Sequence, residues 1–161
     1  MAKRLDAAAA LVFLIPVMAL SGALFSEHVL GFPPCFLCLW QRVPYVLALA
    51  LGAYALGPWH DADKRRLALY GAGALFVAGA GIALFHAGVE AHWWTWASDC
   101  TGDLGEPQTI EELRRRLNAA PVVRCDVPPF YLLGLSMAGW NAVFSPLFAA
   151  IALWGAKKQA P

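Results

Sequence analysis

The chain has 161 residues, of which 60% are hydrophobic and 14% charged, and its net charge is +1. Soluble domains carry about 25% charged residues, so the deficit points to lipid as the solvent. Near-neutral charge excludes the broad basic field that attracts nucleic acid, and the sequence has no glycine-rich phosphate loop, no Ser-His-Asp arrangement and no zinc-protease helix motif.

Four apolar segments follow in chain order, over about 7–25, 40–59, 67–89 and 131–156. A spanning helix needs roughly 20 mostly apolar residues. The second segment reaches that length only if its first turn takes in Leu39 to Arg42. The expected fold is therefore an all-α membrane protein, a single domain built as a four-transmembrane-helix bundle. Lys3, Arg4 and Ala19-Leu20-Ser21 resemble parts of a secretory signal. Its apolar core is about 7–15 residues, shorter than this run, so an uncleaved anchor is expected.

Basic residues set the orientation. Lys3 and Arg4 precede the first span, Lys64, Arg65 and Arg66 separate the second from the third, and Lys157 and Lys158 follow the fourth. Positive flanks favour the cytoplasmic side, so both termini are expected inside. The loops over about 26–39 and 90–130 then face outward. Arg114, Arg115, Arg116 and Arg124 run against this pattern, but their loop is long and also carries acidic residues.

Pro16 is expected to bend the first span, and Pro44 to lie in the first turn of the second, whose start is then near 40–43. Cys38 would sit at that helix's N-terminus, where unpaired N–H groups favour a thiolate. Gly71, Gly73, Ala74, Ala78, Gly79, Gly81 and Ala83 in the third span suit close helix packing. Trp93, Trp94 and Trp96 suit a headgroup anchor. Thr109-Ile110-Glu111-Glu112 reads as a capping box. Ile110, Leu113 and Leu117 then make the stripe of a short amphipathic surface helix in the second outer loop. Asn141 is expected to bond between helices.

All four cysteines, Cys35, Cys38, Cys100 and Cys125, fall in the outward loops, where disulfides persist. Four cysteines allow three pairings. A Cys100–Cys125 bridge would close a large loop and could act as a staple. A Cys35–Cys38 bridge constrains almost no chain, so reactivity or metal binding explains that spacing better. Four thiolates around zinc or copper is one reading, although Cys100 and Cys125 do not form the close pair usual in structural zinc sites. The other is a relay, in which a soluble dithiol protein attacks one pair, exchange reduces the next, and a lipid-soluble quinone drains the electrons.

Arg42 lies one helical turn after Cys38. A permanent charge at a membrane boundary is costly without a partner. It either snorkels to headgroups or stabilises the Cys38 thiolate and a reduced quinone oxygen. Gln41 is a neighbouring donor or an interfacial polar residue. His86 and Glu90 share a helix face, and the histidine serves either as a structural contact or as a proton relay. His28, His60 and His92 read as ordinary loop or interface residues.

The stretch Pro34-Cys35-Phe36-Leu37-Cys38 with Gln41-Arg42, the loop cysteines Cys100 and Cys125, and Gly134-Leu135 with Met137 at the last span closely resemble the bacterial disulfide bond formation protein B (DsbB) family. The resemblance runs over nearly the whole chain in the same order. It implies an inner-membrane enzyme that reoxidises the periplasmic thiol oxidase DsbA and reduces ubiquinone or menaquinone. It also implies that Cys100 forms the mixed disulfide with DsbA, that Cys125 exchanges with Cys35, and that Cys38 contacts the quinone beside Arg42, Gln41 and His86. The vitamin K epoxide reductase type also joins four spans to a Cys-x-x-Cys pair, but its loop cysteines precede that pair rather than follow it. A paralogue with a dedicated partner and a thiol metal carrier are the remaining alternatives; no resident metal is expected.

Overall fold

The structure is a computed structural model that describes residues 7–57, 61–94, 109–111, 114 and 123–159. Among these residues, four helices are long and apolar enough to cross a membrane. They are α1 (Ala7–His28), α2 (Phe36–Leu56), α3 (Ala62–Glu90) and α4 (Met137–Lys158). A two-stranded hairpin, β1 (Tyr131–Leu132) and β2 (Leu135–Ser136), precedes α4.

Three helix starts differ from the sequence expectation, each for a local reason. The second helix begins at Phe36 rather than near 40–43, because Cys35 is extended (φ −75°, ψ 171°) and its sulfur accepts the Cys38 backbone N–H. Cys35 is thus the N-cap, Cys38 lies inside the first turn, and Pro44 lies in the helix interior rather than in its opening turn. The third helix begins at Ala62, ahead of the basic run, and has 29 residues. At about 1.5 Å rise per residue it outreaches a hydrocarbon layer of about 30 Å. Arg65 uses the extra turn to donate to the Ala55 carbonyl at 3.0 Å, near the end of α2, where helix carbonyls lack partners. The fourth helix begins at Met137 rather than 131. Tyr131 pairs with Ser136 and Leu132 with Leu135. Leu133 (φ 51°) and Gly134 (φ 85°) make a two-residue turn with both φ positive. Ser136 ends the hairpin and caps α4 by accepting the Gly139 N–H at 3.0 Å.

Helix α3 packs on α2 and α4, and α1 packs on those same two helices while barely touching α3. The main core joins Ala9 and Val12 of α1, Ala48 and Ala55 of α2, Leu69, Ala72 and Phe76 of α3, and Ala149, Ala152 and Ala156 of α4. Alanines dominate because lipid gives apolar side chains no reason to avoid it, so close backbone approach and dispersion hold the helices together. At Gly52 a Cβ would lie 2.8 Å from the Phe13 backbone, and at Gly155 it would lie 2.2 Å from the Ala8 Cβ. In the small-residue run of α3, Gly73, Gly79 and Ala83 are buried, whereas Ala74, Ala78 and Gly81 face outward. Close packing therefore accounts for only part of that run.

Trp93 is exposed, but Trp94 folds back: its ring stacks on Phe85 at 5.6 Å and its Nε1–H donates to the Phe85 carbonyl. The expected surface helix falls mostly outside the described residues, as do Trp96, His60 and Cys100; Ile110 and Glu111 are helical and exposed.

Candidate redox site

At the end of the bundle where α2 begins and α3 ends, polar side chains replace the alanines. Cys38, Gln41 and Tyr45 recur at helical spacing along α2, and Asn141 and Ser145 along α4. His86 and Glu90 come from the last turns of α3, and Cys125 from the segment before the hairpin. The two cysteines of the motif bring their sulfurs to 2.6 Å. The Cys35 sulfur also receives the Cys38 N–H at 3.2 Å and lies 3.6 Å from His86 Nε2. Its hydrogen bond to Cys38, and then burial, push the Cys35 thiol well above the usual thiol range. The capping geometry directs the first-turn N–H of α2 to the Cys35 sulfur, whereas the sequence had placed Cys38 in that field.

Cys125 is buried with Cys35, Leu37 and Val89 in a small second core. Its carbonyl lies 3.2 Å from His86 Nε2. The other ring nitrogen, Nδ1, lies 2.6 Å from the Gln41 amide nitrogen. Gln41 in turn accepts from Asn141. Tyr45 donates to Asn141 Oδ1 at 2.6 Å, and Ser145 donates to it at 2.7 Å. Glu90 places Oε1 3.7 Å from His86 Nε2, and its other oxygen accepts from the Ser136 hydroxyl.

Arg42 does not run out to solvent. It pairs with Glu27 of α1 at 2.6 Å, both side chains being mostly buried. That contact meets the need of a guanidinium at a membrane boundary. Cys35, Cys38, Gln41, Arg42 and His86 all border one cavity of about 940 Å³. Its other walls are apolar and come largely from α1 and α4, among them Leu14, Met18, Phe144 and Phe148. Leu14, Met18 and Phe144 are also exposed on the outside of the bundle, so the cavity opens toward the lipid-facing surface between α1 and α4.

The donor atoms of Cys35, Cys38 and His86 lie within 4.8 Å of one another. Two thiolates on one tetrahedral zinc, with Zn–S bonds of about 2.3 Å, would stand roughly 3.8 Å apart. The sulfurs stand closer than that, at 2.6 Å.

Of the residues singled out in the sequence, Cys35, Cys38, Gln41, Arg42, His86 and Cys125 converge here, and Cys100 lies outside the described residues. Sequence reasoning missed Glu27, Tyr45, Ser136 and Ser145. For Glu27 a signal existed, an acid ending an apolar run and matching the basic Arg42. Ser145 also carried one, because it follows Asn141 by one turn inside a span, where polar groups need partners.

The family profile described as disulfide bond formation protein DsbB matches residues 5–155. A disulfide bond formation protein B of Neisseria meningitidis is 32% identical over 159 residues, covering 93% of each chain. One from Marinobacter nauticus is 30% identical over 154 residues, covering 89% of this chain and 87% of its own. An uncharacterized protein of Rickettsia prowazekii is 25% identical over 133 residues, 81% of this chain and 76% of its own. No solved structure matches significantly.

Proposed function

The chain belongs to the DsbB family of disulfide bond formation proteins, and from that premise we propose that it is an inner-membrane thiol:quinone oxidoreductase. It takes two electrons and two protons from a DsbA-like periplasmic dithiol and delivers them to a quinone. The carrying observation is that the Cys35–Cys38 pair borders a cavity with apolar walls opening between two helices.

The proposed sequence balances. A partner thiolate attacks a disulfide that includes Cys100, forming a mixed disulfide; its second thiol resolves this and leaves oxidised. Cys125, released as a thiolate by the first attack, attacks Cys35 and frees Cys38 as a thiolate; the Cys100 thiolate then attacks Cys125, which re-forms the Cys100–Cys125 disulfide and frees Cys35. The substrate quinone accepts two electrons and two protons as Cys35–Cys38 closes again. Within this reading the cysteines and the basic flanks place the exchange loops in the periplasm and both termini in the cytoplasm.

The cavity suits a quinone. Its volume lies in the usual range for small-molecule sites, with a few polar groups at one end of apolar walls. The polar end would take the ring oxygens, with Arg42 as the permanent donor, and the gap between α1 and α4 would pass an isoprenoid tail into the bilayer. Whether the quinone is ubiquinone or menaquinone depends on the ring it accepts, and the same donors serve both.

The test is anaerobic reduction of a soluble quinone by a reduced DsbA-like protein, with and without the purified chain. The expected result is catalysed reduction that disappears in Cys38→Ala, while the mixed disulfide at Cys100 still forms. Reduction that persists in Cys38→Ala would contradict the role of that thiol. No reduction by the wild type, with tightly bound metal, would support a metal carrier; no reduction and no metal would support another partner.

A further inference from the structure

His86 is 2% exposed, Gln41 8% and Ser145 0%, so water does not compete for their bonds and the direction of each bond is set by its protein partners. The Gln41 amide nitrogen faces Nδ1 at 2.6 Å. An amide nitrogen only donates, so Nδ1 must accept, and the proton of the neutral ring sits on Nε2. The Gln41 amide is itself held, because its oxygen takes the Asn141 N–H. Asn141 is held in turn, because its oxygen takes the Tyr45 and Ser145 hydroxyls. Every donor along this chain points toward His86. At its far end Nε2–H meets the Cys125 carbonyl at 3.2 Å, with the Cys35 sulfur at 3.6 Å and Glu90 Oε1 at 3.7 Å.

We propose that Gln41 and Asn141, anchored by Tyr45 and Ser145, are positioning residues that fix the tautomer of His86 and so make its ring a clamp holding the Cys125 carbonyl beside Cys35. The opposite tautomer fails at both ends. Its Nδ1–H would point at the Gln41 N–H, and its bare Nε2 would face a carbonyl and a carboxylate, both acceptors. Reversing the ring's proton requires both amides to turn over, with the Tyr45 and Ser145 hydroxyls becoming acceptors. A histidine whose second nitrogen is set by its neighbour is a general device for orienting imidazoles; here the neighbouring groups come from α2 and α4 and meet the ring on α3. The clamp explains how a segment outside the bundle seats Cys125 against the buried Cys35. Its use rests on the exchange between Cys125 and Cys35 in the reading above, but the proton position does not.

The test is ¹⁵N NMR of the full-length protein labelled at histidine, with the His86 signals assigned by their loss in His86→Ala. The intact protein is expected to show Nε2 protonated and Nδ1 bare at neutral pH. Gln41→Glu, which offers only acceptors, should draw a proton onto Nδ1. Asn141→Leu, which frees the Gln41 amide, should give a mixture of tautomers. In a Cys38→Ala, Cys100→Ala background, both substitutions should slow closure of Cys35–Cys125 by an added small disulfide, which is reduced to two thiols, by up to about tenfold, the worth of one hydrogen bond. A wild-type ring protonated on Nδ1 would overturn the proposal, as would a ring pattern unmoved in both variants. The predicted ring pattern together with failed quinone reduction would sink the functional reading and leave the proton position on His86 standing.

Discussion

Where α2 ends and α3 begins, the helices meet through Ala9, Ala55, Ala72, Ala152 and Ala156; where α3 ends and α4 begins, they meet through Gln41, His86, Glu90, Ser136 and Asn141. The first end is closed by close packing and held by contact of small surfaces. The second surrounds a cavity of about 940 Å³ and is held by directed bonds. Contact packing tolerates no added volume, because interiors are close-packed. Directed bonding tolerates a gap but not a lost partner, because an orphaned buried donor keeps its full desolvation cost. The difference suits a membrane protein that needs one rigid end and one end with room for a substrate.

The strongest way to break this comparison is to add volume at the closed end. Gly52→Leu drives a side chain into the Phe13 backbone, which has no flexible tip to move aside. It should cost about 3 kcal/mol or more, the upper range for overpacking, read as loss of folded protein in detergent. Next comes the loss of a charge at the open end. Arg42→Met orphans Glu27 and should raise the apparent KM for quinone about tenfold or more, as expected for a lost charged hydrogen bond. Glu27→Gln should raise it less, because it removes the partner that holds Arg42 but keeps the cation. Equal quinone kinetics in both variants and the wild type would remove Arg42 from the acceptor site.

Smaller effects sharpen the contrast. Gly81 has nothing within 4 Å of where a Cβ would stand. Gly81→Ala should therefore stabilise α3 by about 0.5–1 kcal/mol through helix propensity, the opposite sign to Gly52. A drop in thermal stability would show that this face is covered. The smallest effect concerns Arg124 and Asp126, which flank Cys125. Arg124 donates from Nε to Asp126 at 2.9 Å and holds the carboxyl below its ordinary range. A depressed acid stabilises the fold above its unfolded pKa and loses that contribution as pH falls through the folded value. Arg124→Gln should therefore lower stability slightly at neutral pH, since such a surface pair contributes little, leave it unchanged below the folded value, and so flatten the acid limb. An unaltered acid limb would show the pair to be idle.

The architecture was legible in the sequence because hydrophobic length alone identifies spanning helices. The cysteine motif was legible because Cys-x-x-Cys is short in sequence as well as in space. Helix starts were less so. Cys35 as an N-cap and the hairpin over Leu133-Gly134 depend on backbone geometry rather than on apolar runs. The partnership of Arg42 with Glu27 and the chain from Tyr45 to His86 were not legible, because their members lie far apart in sequence. Asn141 was expected to join helices, but its partner Gln41 emerges only once α2 and α4 face each other across the bundle.

The most direct test of the account is where a quinone binds. A photoreactive quinone should label the facing walls of α1 and α4, at Met18 and Phe144, and excess free quinone should abolish the labelling. Labelling confined to other faces of the bundle, or unaffected by free quinone, would contradict an acceptor site at the Cys35–Cys38 pair.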